Sequence, residues 1–110
     1  MSQSVARKPI FIVNPESASG ATGRNWTQID REIKRGLRTD YDVKFTERVG
    51  HGTVLASEAI KNGYELVVAV GGDGTINEVV NGFFDKETPL NRNAALAVVS
   101  IGMSNDFVKT

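Results

Sequence analysis

The chain contains no cysteine among its 110 residues, which excludes disulfides, thiolate metal sites and a cysteine nucleophile. It has a single histidine, His51, with no partner in view, so His51 reads as a residue that caps or packs in its loop. Formal net charge is zero, so nothing draws the chain to nucleic acid or to an anionic membrane through charge alone. No apolar run reaches the roughly 18–20 residues that a spanning helix needs. Repeats, heptads and low-complexity tracts are missing as well. Met1 to Lys8 carries two positive charges with no apolar core behind them, and is expected to be a short flexible lead-in rather than a signal peptide. No Gly-x-x-x-x-Gly-Lys-Ser/Thr string occurs, which rules out a P-loop. What remains, 40% hydrophobic and 24% charged residues, is ordinary for one globular domain, and a cytoplasmic setting is expected.

Pro9-Ile10-Phe11-Ile12-Val13 is a short apolar run and predicts a buried strand. A turn-forming stretch from Asn14 to Gly23 follows. Trp26, Ile29, Ile33 and Leu37 then recur at helical spacing, with Trp26 on the core face. Tyr41, Val43 and Phe45 alternate with polar residues, as in a strand near a sheet edge. After a loop from Thr46 to Gly52, a second helix carries Leu55, Ala56, Ala59 and Ile60 and ends at Asn62-Gly63. Residues 65–70 read as a third strand, about 76–84 as a third helix, Asp85 to Asn93 as a polar loop, and Ala94 to Ser100 as a fourth strand. Alternating strands and helices predict an α/β fold, a three-layer Rossmann-like domain with a mainly parallel sheet covered on both faces. Right-handed crossovers place residues 14–23, 46–52, 71–75 and 101–106 on one rim, where such sheets bind ligands.

The most informative string on that rim is Gly71-Gly72-Asp73-Gly74-Thr75-Ile76-Asn77-Glu78-Val79-Val80-Asn81-Gly82. Glycines let the backbone approach a ligand, and the helix that follows offers unpaired N–H donors with a partial positive charge. A carboxylate there repels phosphate unless a metal ion intervenes or it takes a proton. Asp73 therefore points to phosphoryl transfer more than to passive binding. The competing reading makes Asp73 a helix N-cap, which would not call for glycines at 71, 72 and 74. Thr75 and Asn77 read either as caps or as phosphate and ribose contacts. Glu78 reads as a helix-dipole carboxylate, as a ligand contact, or as a brace accepting backbone N–H bonds. Ser17, Ser19 and Gly20 read as phosphate donors or as plain surface loop. A dinucleotide cofactor is not expected, because Asn77 holds the third-glycine position and the turn follows the third strand.

Four strings occur in order: Asn14-Pro15-x-Ser17, Thr46-x-x-x-Gly50-His51, the twelve residues above, and Gly102-x-x-Asn105-Asp106-Phe107. Together they resemble the N-terminal catalytic domain of the diacylglycerol kinase and sphingosine kinase family, especially its soluble bacterial lipid kinases. NAD kinases and phosphofructokinases share a Gly-Gly-Asp-Gly turn on a similar fold, but the continuation from Ile76 to Gly82 favours the lipid branch. The resemblance implies that 9–110 is the ATP-binding half of a lipid kinase, which in the complete enzyme transfers the γ-phosphoryl group of ATP to a lipid hydroxyl; alone, these residues are expected to bind nucleotide weakly and to turn over little or no lipid. It implies nucleotide contacts at Asn14, Ser17, Ser19, Gly20, Thr46, Gly71, Gly72, Asp73, Gly74, Thr75, Asn77, Glu78 and the position of Met103. Asp73 is the implied catalytic residue: it orients or deprotonates the lipid hydroxyl, or holds Mg²⁺ on the phosphates. ATP and Mg²⁺ are the implied cofactors. Ala18 stands where the family has glycine, Ser100 replaces a proline, and Met103 replaces a threonine expected to touch ATP. A thioether cannot donate that hydrogen bond. The family's second, β-rich domain is expected to be missing from these 110 residues, leaving membrane contact to it, at the inner membrane face. An uncovered cleft face predicts self-association. The competing functions are a non-catalytic nucleotide-binding module and a small-molecule kinase of the NAD kinase type.

Overall fold

The structure, a computed structural model, describes residues 8–101. Four strands form one parallel sheet: β1 (Ile10–Val13), β2 (Asp42–Phe45), β3 (Leu66–Gly71) and β6 (Ala95–Ser100), in the order β2-β1-β3-β6. The two central strands are the two continuous apolar runs. All of β1 is buried, and so is β3 after Leu66. The alternating run became the edge strand β2, as its half-exposed pattern requires.

Register divides the core into two layers. Ile10 pairs with Val67 and Ile12 with Ala69, and these side chains meet α3 (His51–Lys61) and α4 (Asp73–Asn81) through Ala56, Ala59, Ile60 and Val79. Phe11 pairs with Val68 and Val13 with Val70 on the opposite face, where α2 (Trp26–Leu37) supplies Ile29, with Ile33 and Leu37 beside it. Ile12, Val13, Ile29, Val67 and Val70 are fully buried. Truncating one such side chain to alanine costs about 2–5 kcal/mol, most where the site cannot collapse. Trp26 is only half-buried, and its ring meets the edge-strand Phe45 edge-on at 5.6 Å.

Two expectations from the sequence are corrected. The stretch from Asn14 to Gly23 is not all turn, because a helical turn, α1 (Ala21–Arg24), closes it. The segment from Asp85 to Asn93 is not plain loop. Phe84–Asp85 (β4) and Thr88–Pro89 (β5) pair as an antiparallel hairpin, too short to show any periodicity. Helices cover both faces of the sheet, as expected: α3 and α4 on one and α2 on the other, where an apolar groove of about 500 Å³ opens between α2 and β6, lined by Ile33, Leu37, Leu66, Val68, Ala97 and Val99.

Strand order reverses between β1 and β3, so their following loops leave toward opposite faces and open a crevice at their carboxyl ends. Backbone bonds tie this edge together: Asn14 N–H donates to the Val70 carbonyl at 3.0 Å, Thr46 N–H to Val13 at 2.8 Å, and Ile101 N–H to Gly71 at 3.1 Å. The first three loops share one rim, as expected. Residues 102–106 of the fourth lie outside the described residues.

Candidate functional site

The glycine turn is tighter than its sequence suggests. α4 begins at Asp73 itself, three residues before the expected start, with Gly72 as N-cap and no side-chain cap bond. The N-cap reading of Asp73 therefore fails: its carboxylate is exposed and makes no hydrogen bond or ion pair with any described residue. Gly71 has φ 155°, and a Cβ there would lie 2.6 Å from Thr75 Oγ1. Only glycine satisfies both constraints. Gly72 and Gly74 have open space where a side chain would project, so a ligand can reach their backbone. The first helical bond runs from Ile76 N–H to the Gly72 carbonyl at 3.1 Å. The amides of Asp73, Gly74 and Thr75 precede it and have no helical acceptor. Thr75 is buried under the turn, and Asn77 is exposed.

Beside this turn lies a cavity of about 290 Å³ at the carboxyl ends of β1 and β2. Asn14, Glu16, Thr46, Glu47, Arg48, Val49 and Glu78 line it. Thr46 is only 9% exposed, and its hydroxyl has no hydrogen-bond partner among the described residues, so a polar group is held ready at the wall. Glu78 sits five residues after Asp73 on α4, roughly 7–8 Å along the helix axis.

Glu78 acts as the brace. Its two carboxylate oxygens accept Gly50 N–H at 2.9 Å and Gly52 N–H at 3.0 Å. Its own carbonyl accepts the Thr53 hydroxyl at 2.8 Å. A Cβ at Gly52 would meet Glu78 Oε1 at 2.9 Å, so the approach depends on that glycine. His51 closes the same loop from within, with Nδ1 accepting Glu47 N–H at 2.9 Å. The single histidine is thus a loop cap, as read. The loop from Glu47 to Gly50 is exposed yet held at both ends.

The first loop spends its polar groups on itself. The Ser17 hydroxyl donates to the Asn14 carbonyl at 2.7 Å and shares a 2.6 Å bond with the buried Thr22 hydroxyl. A Cβ on Gly20 would meet Arg24 at 2.8 Å, and the Arg24 guanidinium donates to the Ser19 carbonyl at 3.1 Å. Asn14, Thr46 and Glu78 thus share the cavity; Gly71 to Asn77 form the adjoining turn and first helical turn; Ser17, Ser19 and Gly20 shape the loop beside them. Met103 lies outside the described residues. Sequence reasoning missed Glu16, Glu47, Arg48 and Val49, whose only signal was their place beside Asn14 and Thr46. Among the described residues, no group of three or more His, Asp and Glu side chains gathers to hold a metal ion, and no helix is long and apolar enough to cross a membrane.

Comparison with known proteins gives one consistent match. The family model for the diacylglycerol kinase catalytic domain matches residues 8–110. The chain is 35% identical over 100 residues to a diacylglycerol kinase of Bacillus subtilis strain 168, covering 90% of this chain and 31% of that protein. It is 45% identical over 98 residues to a diacylglycerol kinase of Staphylococcus haemolyticus strain JCSC1435, covering 88% of this chain and 28% of that protein. A crystal structure of a diacylglycerol kinase from Bacillus anthracis str. Sterne superposes with a TM-score of 0.67 at 29% identity, over 90% of this chain and 34% of that one. The chain thus spans about a third or less of the length of the relatives it matches.

Proposed function

The chain belongs to the diacylglycerol kinase catalytic domain family, and on that premise we propose that residues 9–110 are the ATP-binding, phosphoryl-transfer unit of a lipid kinase. The observation that carries this reading is the unpartnered Asp73 carboxylate in an open glycine turn beside a polar cavity. The phosphates of ATP lie against the amides of the first α4 turn, where the helix presents about half a positive charge. Asn14, Thr46 and the loop braced by Glu78 line the nucleotide, and Gly72 and Gly74 admit it to the backbone. Ser17, Ser19, Gly20, Thr75 and Asn77 support this arrangement from its margins.

In the reaction the lipid hydroxyl oxygen forms a bond to the γ-phosphorus as the bond from that phosphorus to the β,γ-bridging oxygen breaks, releasing ADP. The hydroxyl proton passes to Asp73. Magnesium bound with ATP would neutralise phosphate charge, and Asp73, the one carboxylate in the turn, is the residue that would help to hold it. Such catalysis is positioning and charge stabilisation. The lipid acceptor places the work at the inner membrane face of the cytoplasm, through peripheral contact.

γ-Labelled ATP incubated with diacylglycerol in mixed micelles tests the reading. In the complete enzyme, with the family's second domain present, label is expected in the lipid, and Asp73→Asn lowers transfer at least about a hundredfold with the circular dichroism unchanged. Full transfer by that variant, or label appearing in NAD and not in lipid, overturns it.

A further inference from the structure

His51 is the only histidine of the chain, and it turns a ring nitrogen on its own loop. Nδ1 accepts the Glu47 N–H at 2.9 Å. That amide has no other acceptor among the described residues, because β2 ends at Phe45 and the Thr46 N–H takes the last bond to β1, at Val13. The His51 N–H donates to the Arg48 carbonyl at 3.2 Å, so ring and backbone of one residue close the same turn. The far end is held separately, by the Gly50 N–H on the Glu78 carboxylate at 2.9 Å. Residues Glu47 to Gly50 are all exposed, so these few bonds, and not packing, fix the loop.

An acceptor at Nδ1 requires the neutral ring, with its proton on Nε2. Imidazole is the one side chain whose ordinary charge change falls between about pH 5 and pH 8. Once Nδ1 takes a proton it becomes a donor, and it then meets the Glu47 N–H donor to donor. The charged groups around this loop are Glu47 and Arg48 within it, Glu78 from α4, and Glu16 across the cavity from the first loop. Three carboxylates against one guanidinium give an imidazolium other acceptors, so the ring has a second arrangement once the first is lost. The Gly50 and Gly52 bonds to Glu78 do not involve the ring, so protonation frees one end of the loop only.

We propose that His51 is a positioning residue whose proton gates the nucleotide site. With Nδ1 unprotonated it latches the start of the loop from Glu47 to Gly50 against α3; protonation at Nδ1 releases that end and weakens nucleotide binding. The inference rests on the ATP-binding reading above and adds a pH-dependent control to it. His51 is not among the residues that line the cavity, and it acts through the backbone of Glu47 and Arg48, which are.

Amide NMR and Mg·ATP titration between about pH 8 and pH 5 test this on the wild type, His51→Asn and His51→Phe. Asparagine keeps an acceptor oxygen at the δ position and has nothing to protonate; phenylalanine keeps a ring and has no acceptor. Both changes fall at a half-buried position that begins α3, and circular dichroism checks folding. In the wild type the Glu47 amide is expected to shift with the His51 ring signals. Its exchange, corrected for the intrinsic pH dependence, quickens about fivefold as the ring is protonated. Over the same range the Mg·ATP dissociation constant rises about fivefold more than it does for His51→Asn, a comparison that cancels titration of the nucleotide itself. His51→Asn keeps the Glu47 amide protected throughout, and His51→Phe shows fast exchange and weak binding at every pH. A Glu47 amide indifferent to the ring, or an asparagine variant whose affinity falls as the wild type's does, overturns the inference with the ATP site intact. A latch that opens without any change in affinity overturns the gate. Absence of ATP binding by the wild type at every pH overturns the site reading and the gate with it; the Glu47 amide, read without nucleotide, keeps the two failures distinct.

Discussion

Glu78 shows how a site residue acts without touching a ligand's reacting atoms. Its carboxylate takes two backbone N–H bonds from the loop that carries Thr46 to Gly50, so the cavity wall depends on both oxygens being acceptors. Glutamine in its place presents one acceptor and turns an NH₂ toward an amide N–H. One charge-assisted bond is lost and a donor is left facing a donor. Glu78→Gln is expected to lower the unfolding free energy by about 2 kcal/mol, read from the urea midpoint at constant slope. Ala18 offers the opposite case. It has φ 55°, a left-handed conformation that costs an alanine roughly 1 kcal/mol, and the resemblance had marked it as standing where glycine is usual. Ala18→Gly is expected to stabilise the chain by about 0.5–1 kcal/mol in the same assay, the larger entropy loss of glycine offsetting part of the gain. A destabilisation would mean that the alanine methyl contributes more by packing on the α2 layer than it loses in strain.

At the scale of elements, the edge strand β2 is held by its ends. Parallel pairing joins it to β1, and Asp42 at its start accepts a hydrogen bond from the Tyr64 hydroxyl and pairs with Lys8 at 3.2 Å. The Tyr64 hydrogen bond, more than the nearby lysines, holds the Asp42 carboxyl below the usual value of 3.8. The folded chain therefore binds that proton less tightly than the unfolded chain does. Asp42 contributes stability above about pH 4 that is lost as pH falls through its lower folded value. Tyr64→Phe is expected to be less stable than the wild type at neutral pH, with the gap narrowing on acidification below that point; a gap constant with pH would assign Tyr64 to packing alone. β1, β2, β3, α2 and α3 were all legible because apolar period and burial coincide in them. The start of α4 was not, because Gly72 caps by backbone conformation and leaves no side-chain signal. The β4–β5 hairpin escaped notice because its turn places Lys86 at φ 59° with no glycine to announce it.

For the whole molecule, the rim was the legible part of the site and the cavity was not. Gly71 to Glu78 could be read because glycine, carboxylate and helix start lie together in sequence. The cavity is assembled from β1, β2 and α4 across contacts that no local spacing records, and so Arg48 and Val49 went unread. The molecule has a larger recess, the groove of about 500 Å³ between α2 and β6, but its lining is almost wholly apolar and offers a polyphosphate nothing to bind. The smaller recess of about 290 Å³ has polar walls and is lined in part by Glu78, on the same helix whose first turn carries the open amides and the free carboxylate. The choice between them is the central claim, and amide NMR spectra recorded during titration with Mg·ATP decide it directly. Saturable shifts are expected at Asn14, Thr46 to Gly50 and Gly72 to Thr75, with Ile33, Leu37 and Val99 unmoved. Shifts confined to the α2–β6 groove, or none at the glycine turn at saturating nucleotide, would contradict it.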